Sequence, residues 1–77
     1  MNKKELYINY LSKLEEALNA DNFDNIDYIL ESVYTIWIPE EEMIAMDDIF
    51  QEATLYIELK EDEYKNEALK LIEEFKN

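Results

Sequence analysis

Carboxylates are the side chains through which this chain could do chemistry. Its 77 residues hold 20 Asp and Glu against seven basic residues, all lysine, for a formal charge of −13. Thirteen of those acids fill residues 14–59, a stretch with no Lys, Arg or His. Asp21, Asp24 and Asp27 recur every third residue, which invites a test for calcium. A calcium loop of the helix–loop–helix type needs ligands at positions 1, 3 and 5 and a glycine at position 6. Spacing of three is that of one helix face, and the chain has no glycine. A solvated face is the better reading. Glu40-Glu41-Glu42 offers only weak, nonspecific divalent binding, and no metal site is expected.

The missing residue types narrow the chemistry further. Without His or Cys there is no common general base, no usual nucleophile–base pair and no zinc site built on those ligands. Without Arg there is no bidentate phosphate clamp, and without Gly no phosphate-cradling loop. A di-iron bundle needs Glu-x-x-His pairs. Two carboxylates can hydrolyse glycosides, but a short helical chain gives no evident cleft. The expectation is a noncatalytic protein with no cofactor. What remains is electrostatics. An acidic block repels nucleic acid and anionic membrane, and attracts a strongly basic protein surface. Solubility alone needs a net charge of only about 2–8 in magnitude.

The elements that must position these acids are helices. Zero Gly and one Pro remove the usual turn punctuation, and apolar residues recur with period near 3.6. Residues 3–19 place Tyr7, Tyr10, Leu11, Leu14, Ala17 and Leu18 on one face. Asn19-Ala20-Asp21-Asn22 breaks the pattern, with Asn suited to the left-handed stop and Asp21 or Asn22 to the next cap. Residues 22–37 carry Phe23, Ile26, Ile29, Leu30, Val33, Ile36 and Trp37 as a wide apolar face. Trp37 is expected to be buried, and Pro39 ends that helix. Residues 39–59 follow, with Pro39 at the first helical position and Glu40, Glu41 and Glu42 at the positive dipole end. Their core stripe is Met43, Met46, Ile49, Phe50, Ala53 and Ile57. Residues 62–76 form the last helix, capped by Asp62, with Tyr64, Ala68, Leu71, Ile72 and Phe75 inward. The two final helices could also be one bent helix through Lys60-Glu61-Asp62. The whole, residues 1–77, reads as a single all-α domain, a small antiparallel up-and-down bundle of about four helices. No secretory or membrane-spanning run is legible, so a cytoplasmic location is expected.

Two surface features stand off the core stripes. Tyr28 points away from its helix's apolar face, with Asp21, Asp24, Glu31 and Thr35 around it. A rigid exposed ring among steering charges suits a binding hot spot, although a lone exposed aromatic is also ordinary surface. Ile44, Leu55 and Leu59 share a second face with Glu41, Asp48 and Glu52. They form either a mixed binding stripe or, for Leu55 and Leu59, packing under the last helix. The expected partner-binding cluster joins Asp24, Asp27 and Glu31 with Asp47, Asp48 and Glu52, around Tyr28.

From about residue 30 onward the chain resembles the colicin-D-type immunity proteins, which protect a bacterium from its own tRNA-cleaving toxin. The residues concerned are Tyr34 and Trp37 before Pro39, then Asp47-Asp48-Ile49-Phe50 with Ala53 and Tyr56, then Leu69, Ile72, Glu73, Glu74 and Phe75. The resemblance implies an acidic surface that plugs a basic nuclease active site. Charge alone leads to the same partner class. The expected function is therefore noncatalytic inhibition of a basic protein, with a nuclease toxin as the leading partner and no direct contact with nucleic acid or membrane. A phage-encoded nucleic-acid mimic that blocks a host defence nuclease is the first alternative. A structural or assembly module, including a homodimer built on surplus aromatics, is the second.

Overall fold

The apolar periodicity folds the described residues, in the computed structural model, into four helices. They are α1 (Lys3–Asn19), α2 (Phe23–Ser32), α3 (Glu40–Leu59) and α4 (Asp62–Lys76). The structure describes residues 3–32 and 39–77. The expected burial of Trp37, and the parts played by Val33, Tyr34 and Ile36, lie outside the described residues.

The helices pack in a ring in which α1 touches α2 and α4, and α3 touches the same two. Cross-helix contacts set the directions. Tyr10 in the middle of α1 meets Phe50 in the middle of α3, edge to face, with ring centroids 6.1 Å apart. Phe23 at the start of α2 meets Tyr56 near the end of α3 at 5.3 Å. On α4, Lys65 reaches Asp21 just past the end of α1, while Lys76 reaches back to Glu15. The chain therefore runs up, down, up and down, and the α1–α2 and α3–α4 turns share one end of the bundle.

Fourteen described residues form the buried core, and all six expected for α1 are among them. Ile26 and Ile29 of α2, Met46, Ile49 and Ala53 of α3, and Ala68 and Ile72 of α4 are buried as their spacing demands. Tyr56 joins them, only 3% exposed, although it stands outside the stripe expected for α3. Leu59 does not pack beneath α4 and is 51% exposed. Tyr10 Oη donates to the Ile29 carbonyl, which also accepts from Ser32 Oγ at 2.7 Å.

The turns are built without glycine. Asp21, and not the expected asparagine, takes the left-handed stop at φ 54°. Its N–H bonds the Leu18 carbonyl, and the Asn22 N–H bonds that of Ala17. This is the Schellman arrangement that closes a helix C-terminus. Asn22 Oδ1 then accepts from the Asn25 N–H at 3.3 Å and caps α2. The second turn uses Lys60 at φ 55°, whose N–H bonds the Tyr56 carbonyl. That left-handed residue makes α3 and α4 two helices rather than one bent helix. Two expected caps differ. Pro39 precedes the first turn of α3 as its N-cap instead of occupying the first helical position. Glu61 rather than Asp62 flanks α4, without a side-chain cap bond, and Asp62 pairs with Lys65 at 3.8 Å within the helix.

Leu14 is fully buried at the centre of this ring. Leu14→Ala is expected to cost about 2–5 kcal/mol. Leu59→Ala, on the surface, should stay within about 0.5 kcal/mol of wild type. Urea melts followed by circular dichroism measure both.

Candidate functional site

Placing the four helices in a ring converts a pattern along the chain into a pattern in space. α1 carries three lysines and three glutamates, and α4 three lysines and five acids. α2 carries three acids and α3 seven, with no cation on either. Because α2 packs against α3, those ten carboxylates occupy two adjacent helices. Among the described residues no carboxylate of α2 or α3 enters an ion pair within 4.0 Å. The bridges present are Lys65 with Asp21 and Asp62, and Lys76 with Glu15. One side of the bundle is thus built from two helices that carry only acids, with Lys60 and Lys65 reaching its turn end, and the other is mixed and internally paired.

The residues expected to bind a partner fall into two arcs. Asp24, Asp27, Tyr28 and Glu31 are all exposed on the outer face of α2, with Tyr28 exposed by 70%. Asp24 and Glu31 stand four before and three after Tyr28, so they share its face. The second arc lies on the far flank of α3. Asp48 lines a groove against α4 with Ala45, Leu71, Glu74 and Phe75. Glu52 is half-buried on the same flank, beside Tyr64 of α4. Burial raises the Tyr64 phenol most, and Glu63, Glu61 and Glu52 add to the rise. α2 and α4 stand diagonally across the ring, so the bulk of α3 separates Asp48 and Glu52 from Tyr28. Asp47 is exposed about 100° around the helix from Asp48, on the flank that carries Met43 and Phe50. Sequence spacing puts all three acids outside the α3 core stripe. It does not say which flank meets which neighbour.

A further cluster was not expected from the sequence. Tyr56 Oη donates to Asp21 Oδ1 at 2.5 Å, and Lys65 Nζ donates to the same oxygen at 3.1 Å. Lys65 also lies over the Tyr56 ring at 5.6 Å, and Lys60 over the Phe23 ring at 5.0 Å. These contacts tie the two turns together at one end of the bundle. The bond from Tyr56 first, and that from Lys65 second, hold the Asp21 carboxyl below its usual range. Tyr56 and Lys65 are both raised, chiefly by their bonds to Asp21. The arrangement is an anchor that joins α3 and α4 to the α1–α2 turn. The clue in the sequence was an acid rather than a glycine in a helix-breaking turn.

Among the described residues, no group of three or more His, Cys, Asp or Glu side chains is placed to hold a metal ion. None of their helices is long and apolar enough to cross a membrane. Comparison with family models, curated proteins and solved structures finds no match.

The anchor sets a pH dependence. A carboxyl whose folded pKa is depressed contributes stability that is present above its unfolded value, about 3.9, and lost as pH falls through the lower folded one. Tyr56→Phe keeps the ring and removes the bond. It is expected to melt below wild type at pH 5–7, with the gap closing below about pH 3.9 as Asp21 protonates. Paired thermal melts across that range check it. A gap independent of pH would mean that the hydroxyl acts other than through the Asp21 carboxylate.

Proposed function

We propose that this protein is a noncatalytic acidic inhibitor whose α2–α3 side docks on a basic surface of another protein. The leading partner is a nuclease toxin, which an immunity protein of this kind would neutralise. One observation carries the reading: ten carboxylates on two adjacent helices, with no cation on either. Self-repulsion on that side works against folding, and a lysine there would relieve it. A nuclease must present cationic groups to phosphates, so the same groups attract this face. The resemblance to colicin-D-type immunity proteins points to the same class. Of the residues that carry it, Asp47, Asp48, Glu73 and Glu74 are exposed, while Ile49, Ala53, Tyr56 and Ile72 are core.

The spacing on α2 favours phosphate mimicry as a second reading. Asp24, Asp27 and Glu31 are exposed three and four residues apart, which is roughly 4.5–6 Å of helix rise. Under that reading the target is a defence nuclease and the protein phage-encoded. Assembly with a second copy is disfavoured, because a net charge of −13 repels itself.

The test is a basic protein captured at low salt from the source organism, followed kinetically. Its association rate should fall steeply between about 50 and 300 mM salt while dissociation changes little. Neutralising Asp24, Asp27 and Glu31 should weaken binding by about 2 kcal/mol or more. Neutralising Glu63, Glu67 and Glu73 of α4 removes the same charge and should cost much less. A salt-independent association rate, or equal losses from the two sets, would overturn the reading.

A further inference from the structure

Two acids share a concave, partly apolar groove between α3 and α4. Ala45, Leu71 and Phe75 line it together with Asp48 and Glu74. Its volume is about 270 Å³. That lies below the roughly 300–1,000 Å³ of sites that enclose small-molecule ligands. It suits one or two side chains.

We infer that this groove seats an arginine side chain of the basic partner. The inference rests on the proposed docking function and adds a specific pocket to it. Three observations choose the occupant. The two carboxylates, both exposed, favour a cation, and among the described residues neither enters an ion pair. Even Lys70, one turn before Glu74, makes none with it. The apolar lining suits an aliphatic stem that keeps its charged head at the rim. Phe75 offers a ring against which a planar guanidinium can stack while it donates in parallel to a carboxylate, and an ammonium does neither as well. The occupant is not a second copy of this chain, because the chain contains no arginine.

The geometry also explains why Asp48 stands apart from Tyr28. The α2 arc is convex and open, suited to long-range attraction. The groove is concave and partly apolar, suited to holding one side chain in place. The first affects mainly how fast a basic partner arrives, and the second how slowly it leaves.

Two fluorescein-labelled helical peptides of alanine with four cations each, one arginine and one lysine, serve as probes. Binding is read by anisotropy at about 50 mM salt, where surface attraction is weakly screened, and by amide shifts of the isotopically labelled protein. The arginine peptide should bind more tightly than the lysine peptide and shift the amides of Ala45, Asp48, Leu71, Glu74 and Phe75. Asp48→Asn with Glu74→Gln should weaken the arginine peptide about ten-fold or more, the size of one charge-assisted hydrogen bond. It should also abolish the preference for arginine. Asp24→Asn with Glu31→Gln removes equal charge and should weaken both peptides alike while keeping the preference. Thermal melts confirm that each variant is folded. Absence of an arginine preference, or shifts confined to α2, overturns the groove and leaves the acidic-face reading intact. A groove effect with no loss from the α2 variant supports the groove and counts against that reading. Failure of both peptides to bind overturns the two together.

Discussion

The fold rests on a small apolar core that has to hold against charge repulsion. α1 supplies six of the fourteen buried residues, and its own charges balance. It packs against α2 and α4 without adding net charge of its own. The acids are spread over the outside. Asp24 with Asp27, Asp27 with Glu31, and Asp48 with Glu52 are like-charge pairs at helical spacing, each costing about 0.2–0.5 kcal/mol. Together they cost on the order of 1 kcal/mol, a tenth to a fifth of the stability of an ordinary small domain. The core can carry that, which is why an acidic side on so short a chain is compatible with folding.

Cations are placed where they join elements. Lys60 lies over Phe23, Lys65 bonds Asp21 and lies over Tyr56, and Lys76 pairs with Glu15. Each contact links α4, or the turn before it, to another element. The two left-handed residues belong to the same scheme. Asp21 and Lys60 occupy backbone positions that glycine would fill more easily, and each uses its side chain across the bundle. A glycine at either position would ease the turn and remove the link. The absence of glycine is therefore part of how the turn end is fastened.

Much of this was legible from periodicity. The bounds of α1 and α4 are as their sequences read, and every residue expected in the α1 stripe is buried. Tyr56 could have been found by the same rule. It stands three after Ala53 and seven after Ile49, on the stripe, and only its hydroxyl suggests surface. The Asp21–Tyr56 bond was not legible, because it spans 35 residues and depends on both turns lying at one end. Pro39 and Asp62 were misplaced by one position each. Such shifts are ordinary at helix ends, which fray and whose bounds vary by a residue or two. The expected acidic cluster shows a deeper limit. A stripe of period 3.6 separates inside from outside, but a helix with a neighbour on each flank has two outsides. Asp48 and Glu52 read as companions of Tyr28 until α4 claims their flank.

That division changes what the acidic side can be. If the charge served solubility alone, lysines would be as useful on α2 and α3 as on α1 and α4. A lysine in place of Glu31, four residues after Asp27, would turn a repulsion into an attraction of about 0.3–0.5 kcal/mol. The fold instead leaves both helices without a cation of their own, places six of the seven lysines on the opposite pair and sets the seventh, Lys60, in the α3–α4 turn. Repulsion left in place is stability held back from the free protein, and a cationic surface that neutralises those acids releases it on contact. In the proposed docking, the electrostatic cost in the free state becomes part of the driving force for association. The groove beside Asp48 adds what a diffuse field lacks, a place where one cation fits better than another.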